Sequence, residues 1–139
     1  MTDYCKNVSL EKKKKRVLFV GRLVNEKGVQ IYVNAIKKIA KKFPNWELKI
    51  EGDEANIPKL ISNINHIDIF HYDSDKTYEG KKNVYNLIKK KISDKSILIF
   101  DDIQDDIFFY EICQRTSFDY KIFKFNSKYI GFLGKIKKQ

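Results

Sequence analysis

The chain of 139 residues carries only two cysteines, Cys5 and Cys113. They are too few and too far apart for a disulfide framework or a zinc ribbon, so a reducing, cytoplasmic setting is expected. Long apolar runs are missing too. No stretch approaches the length that spans a bilayer, and the polar start lacks the apolar core of a secretion signal. Arginine is scarce: Arg16, Arg22 and Arg115 stand against a net charge of +10, so the excess is nearly all lysine. Those lysines are spread through every segment and RNA-recognition motifs are absent. The charge therefore offers non-specific attraction at most, and nucleic acid is not the expected partner. The run Lys12-Lys13-Lys14-Lys15-Arg16 reads as a solvated lead into the first strand.

What is present is enough apolar residue, 42%, to fill the core of one domain. Residues 1–14 are polar. Val17-Leu18-Phe19-Val20 is a continuous apolar run closed by Gly21, as in a strand buried on both faces. Val29, Val33, Ile36, Ile39, Ala40 and Phe43 come next at helical spacing, with lysines on the opposite face and Pro44 as the stop. Trp46 to Glu51 alternates as a second strand. A short helix over 58–64 leads to a strand over 67–72, a helix over 79–92 and a buried strand over 96–100. A helix over 105–115 and two strands, 120–125 and 129–136, complete the chain, the last two joined as a hairpin at Asn126-Ser127-Lys128. Strand and helix in alternation predict a Rossmann-like α/β domain over 1–139. Its sheet is mostly parallel, with helices on both faces and a C-terminal antiparallel hairpin at one edge. A sheet of so few strands leaves an edge on which a homodimer or a partner subunit could form.

In such sheets ligands gather beyond the carboxyl ends of the strands. Three strands end there in polar or glycine-bearing groups: Gly21-Arg22, Asp73-Ser74-Asp75-Lys76 and Asp101-Asp102. Aspartates after a strand also cap helices and close turns, and a lone lysine is commonly solvated. Both readings of these residues stay open on spacing alone.

Residues from about 56 to 139 resemble the C-terminal half of class I S-adenosylmethionine-dependent methyltransferases. The resemblance is carried by "HYDSDKTYEG" after one strand and "ILIFDD" at the end of the next. It is strongest to metal-dependent O-methyltransferases acting on a small molecule or sugar. It implies that Asp73, Asp101 and Asp102 hold a magnesium-like ion and that Lys76 acts as catalytic base. Hard oxygen ligands suit such an ion.

Residues 15–53 instead resemble the start of the nucleotide-sugar-binding domain of retaining glycosyltransferases with two Rossmann domains, through "VGRLVNEKG" and "FPNWELKIEG". That resemblance implies that Arg22 and Lys27 contact a diphosphate, with Gly21 and Gly28 letting the backbone approach. If this first unit serves instead in place of a methyltransferase half, Gly21 lies under S-adenosylmethionine and Glu51 meets its ribose. The turn after Val20 lacks a second closely spaced glycine, which weakens that fit. The chain thus reads as a junction, near 52–60, of two transferase segments. The expectation is a methyltransferase-like protein with its activity retained or lost. The alternatives are a sugar-nucleotide-binding fragment and a non-catalytic partner protein.

Overall fold

The computed structural model describes residues 15–21, 29–52 and 54–135. Ten main elements succeed one another: β1 (Lys15–Gly21), α1 (Val29–Lys42), β2 (Trp46–Glu51), α2 (Ile57–Ser62), β3 (Ile69–Asp73), α3 (Tyr78–Ile88), β4 (Ile97–Phe100), α4 (Phe108–Arg115), β5 (Asp119–Phe125) and β6 (Lys128–Gly134). The strands form one sheet in the order β2-β1-β3-β4-β6-β5. The pairs β1–β2, β1–β3 and β3–β4 are parallel, whereas β4–β6 and β5–β6 are antiparallel. The expected mostly parallel sheet with a terminal hairpin at one edge is what forms.

Alternation along the strands divides the sheet into two unlike faces. Leu18, Val20, Phe70, Tyr72, Leu98, Phe100 and Leu133 point to one face, and α2, α3 and α4 close over it. Ile57, Ile61, Val84, Ile88, Phe108, Phe109 and Ile112 complete this core. Phe100 is its hub, with edge-on contacts to the rings of Phe70, Phe108 and Phe109. Such pairs add to the gain from burial alone. On the other face lie Val17, Phe19, Ile69 and His71, with Tyr32 of α1 packed against Phe19 and His71.

Element boundaries differ from the periodic pattern where hydrogen bonds to other segments intervene. The strand expected from Ile67 starts at Ile69; the Ile67 amide donates to Lys91 O rather than to β1, and the Asp68 amide already donates to Arg16 O of β1. The helix expected from residue 105 starts at Phe108, whose amide donates to the Asp106 carboxylate. The basic lead ends earlier than its charge suggests. Lys15 and Arg16 already belong to β1, and Arg16 is half-buried, its Nε 2.8 Å from Glu47 of β2. Residues Asn126 and Ser127 form the two-residue hairpin turn, with Asn126 at φ 56°. Asparagine tolerates that left-handed conformation better than most residues.

Gly131 of β6 has no room for a side chain, since a Cβ there would stand 2.3 Å from the Phe109 ring. Gly131→Ala should therefore destabilise the fold by about 1–3 kcal/mol through overpacking. Pairing it with Phe109→Leu should return part of that loss. Urea midpoints of the two single variants and the double variant measure this; simple additivity would refute the contact as the cause.

Candidate functional site

The sheet reverses its direction of winding between β1 and β3. From β1 the chain passes by α1 to β2 on one side, and from β3 it passes by α3 to β4 on the other. This is the switch point at which ligands of open α/β sheets collect. Gly21 and Asp73, the last residues of the two strands, are direct register partners there. Asp101 comes directly after β4, and its amide donates to Tyr72 O at 3.1 Å. Asp102 is next. The strand ends thus deliver Asp73, Asp101 and Asp102 to one rim, each offering a carboxylate oxygen within 4.8 Å of the others.

The electrostatics of this rim are uneven. Asp102 is 2% exposed. Burial pushes its carboxyl up, but hydrogen bonds from Lys76 and Gln104 and the charges of Lys76 and Lys128 prevail, leaving it at about 2. Burial also raises Asp101, and there the neighbouring charges of Asp73 and Asp102 push the same way. Lys76 Nζ lies 2.5 Å from Asp102 Oδ2, and Lys128 Nζ lies 3.4 Å from Oδ1. Among the described residues, the buried Oδ2 has no hydrogen-bond donor apart from the ammonium of Lys76. The Asp102 contact raises the Lys76 pKa. Lys76 is accordingly an ammonium ion here, and the role of base requires the salt bridge to be broken. Between these side chains and Lys76 there is no water-sized space.

The donor set fits a hard divalent cation. Three carboxylates converge, and among the described residues one buried oxygen is satisfied only by Lys76, whose side chain is half-exposed. A cation entering this rim must displace Lys76.

Not every polar residue of the expected motif belongs to the site. Asp75 accepts from the Thr77 amide, and the Thr77 hydroxyl accepts from the Gly80 amide to cap α3. Gly80 carries no side chain because a Cβ would meet the Asp75 carboxylate at 2.3 Å. In "DSDKTYEG", then, Asp73 and Lys76 face the rim while Asp75, Thr77 and Gly80 build the helix start. Gly21 also has a structural cause: a Cβ would lie 2.7 Å from the Phe19 ring and 2.8 Å from Asp73 O. Glu51 ends β2 on the same rim and is half-buried. Arg22, Lys27 and Gly28 lie outside the described residues.

One important residue has no counterpart among the expected ones. Lys81 of α3 is 1% exposed, and its Nζ donates to Asp102 O at 3.0 Å and to Asp106 Oδ2 at 2.7 Å. It grips the backbone at the residue that adopts φ 50°, ψ 46°, a left-handed conformation that costs a non-glycine residue roughly 1–2 kcal/mol. The sequence signal is a lysine on the inward side of a periodic helix, but a sequence pattern alone does not supply its buried partner.

The strand order and rim define a Rossmann-like α/β fold, one shared with several S-adenosylmethionine-type O-methyltransferases. The O-methyltransferase from Bacillus cereus in complex with SAH superposes with a TM-score of 0.55 at 14% identity, over 87% of this chain and 74% of that one. The SAH-bound methyltransferase PaMTH1 of Podospora anserina gives 0.55 at 13% identity, over 86% and 71%. The MycE methyltransferase of mycinamycin biosynthesis, in complex with Mg and SAH, gives 0.52 at 10%, over 88% of this chain and 45% of that one. At such identities the likeness is one of fold. By sequence, the chain belongs to the family of glycosyl transferases group 1, whose sequence model matches residues 2–100. No curated protein sequence matches it.

Lys81→Met should leave the Asp106 carboxylate without its cation and cost about 3–5 kcal/mol, whereas Lys81→Met with Asp106→Asn, which removes the stranded charge and keeps an oxygen for the Phe108 amide, should recover part of it. Thermal unfolding of both variants reads the difference. Equal losses in the single and the double variant would show that the lysine stabilises by some other contact.

Proposed function

We propose that the protein is a methyltransferase-like transferase whose strand-end carboxylates hold a magnesium-like cation beside a hydroxyl acceptor, a small molecule or a sugar. The observation that carries this reading is the convergence of Asp73, Asp101 and Asp102 at the ends of β3 and β4. A divalent cation bound there would supply acidification of the acceptor hydroxyl and fix its oxygen. The chain's own residues do the rest. Asp73, Asp101 and Asp102 provide the ligand oxygens. Lys76, once freed from Asp102, would take the hydroxyl proton, and a nearby cation would lower its pKa towards that task. Gly21 and Glu51 border the switch point, where S-adenosylmethionine is the proposed methyl donor. A cytoplasmic setting accords with this chemistry, and among the described residues no helix is long and apolar enough to cross a membrane.

The family match favours a second reading. In it, Arg22 and Lys27, which follow β1 in the sequence beside Gly21 and Gly28, bind the diphosphate of a sugar nucleotide. Two cations beside glycines suit a diphosphate better than a sulfonium. Calorimetry with S-adenosylmethionine, SAH and a uridine diphosphate sugar, each with and without magnesium, separates the two. Metal-dependent binding of the methyl donor supports the first. Binding of the sugar nucleotide that falls on Arg22→Ala or Lys27→Ala supports the second.

Magnesium or calcium should raise the melting temperature, because ligand that binds only the folded state stabilises it by about 2.7 kcal/mol at a hundredfold excess over Kd. Asp73→Asn with Asp101→Asn should abolish the shift and leave the metal-free fold intact. An unchanged melting temperature in the native protein would reduce the carboxylates to caps and turns.

A further inference from the structure

At the opposite end of the strands from the carboxylate rim, α1 does not close fully onto the sheet. Ile36 and Ala40 of the helix, with Phe43 just after it, face Val17, Leu48 and Ile69 across a cleft of about 320 Å³. Its walls are almost wholly hydrocarbon, and Phe43 at its edge remains 54% exposed. The volume is roughly twice the ~150 Å³ that accommodates one benzene ring in an engineered cavity. It falls at the lower end of the roughly 300–1,000 Å³ typical of small-molecule sites.

The charges at its mouth select the kind of ligand. Glu47 lines the cleft, but its carboxylate is already held by Arg16 Nε at 2.8 Å and Lys49 Nζ at 3.0 Å, which lower its pKa. Lys15 also lines the mouth, its ammonium 5.4 Å from the centre of the Trp46 ring, and no carboxylate among the described residues is paired with it. The acid is thus neutralised and the base is available. An apolar pocket with one cation at its entrance complements an apolar body with one anionic end.

We propose that this cleft binds a hydrophobic carboxylate, a medium-chain alkyl or two-ring aryl acid. The hydrocarbon part lies between α1 and the sheet, and the carboxylate pairs with Lys15. The site is separate from the rim and does not depend on the transferase reading.

Trp46, the sole tryptophan of the chain, borders the cleft and reports directly on it. Decanoate and 1-naphthoate, titrated into the full chain below any micellar concentration, should change its fluorescence saturably. Decanol should bind more weakly than decanoate. Lys15→Gln, a surface change, should weaken decanoate roughly tenfold, the scale of one charge-assisted hydrogen bond, and leave decanol unaffected. Ala40→Phe, which fills the cleft, should abolish both responses, with circular dichroism confirming that the helices persist. A response to decanoate but not to naphthoate would place the ligand among alkyl acids, and the reverse among aryl acids. The proposal is overturned if neither acid alters the fluorescence, or if Lys15→Gln binds decanoate as well as the native chain does. It is equally overturned if the signal varies with protein concentration alone, which would make the cleft a contact between copies. A response only to anionic phospholipid vesicles would make it a membrane contact and would also overturn the proposal.

Discussion

One buried ammonium ion joins the core of this protein to its rim. Lys81 leaves α3 among the side chains that pack beneath the sheet and ends on Asp102 O and Asp106 Oδ2. A charge so deep is tolerated only where partners replace its water. The segment 102–106 supplies them by giving up regular structure for a left-handed residue and a short 3₁₀ turn. The Asp102 carboxylate then meets Lys76 and Lys128, and Asp106 is left to start α4 through the Phe108 amide. The rim geometry, the start of α4 and the seating of α3 all depend on that one cation.

The family and the fold point in different directions without conflict, for a reason visible in the topology. The glycosyl transferases group 1 match ends at residue 100, the last residue of β4. The matched part holds all four parallel strands, a unit that many Rossmann-like folds have in common. Beyond residue 100 the chain adds Asp101 and Asp102 to the rim, and the β5–β6 hairpin gives the sheet its terminal antiparallel pair. The likeness to O-methyltransferases extends over 86–88% of this chain, whereas the family match stops at residue 100.

The sheet was legible in the sequence because its central strands are unbroken apolar runs: Val17 to Val20 is buried on both faces, and Ile97 to Phe100 keeps the run although Ile97 is 39% exposed. The convergence of Asp73 with Asp101 and Asp102 was legible for a related reason: acids directly after parallel strands share a rim whenever the strands are neighbours, as β3 and β4 are. Features that depend on a distant partner escaped. Nothing near Lys81 in the sequence announces Asp106, 25 positions later. Arg16 reads as the end of a solvated run because its acceptors, Glu47 and Asp68, lie far along the chain. Gly80 reads as part of a ligand motif, yet its smallness answers to Asp75.

The order β4-β6-β5 has a consequence for how the protein is made. β6 comes after β5 in the chain but lies inside it in the sheet. As the polypeptide leaves the ribosome, β4 must therefore keep its outer edge bare until residues 128–134 have emerged, and β5 has nothing to pair with before then. For that interval the nascent chain presents an open edge beside the exposed rings and aliphatic groups of Tyr120, Ile122, Phe123 and Phe125. Lys121 and Lys124, spaced along β5, are charges of the kind that discourage an exposed edge strand from pairing with another chain.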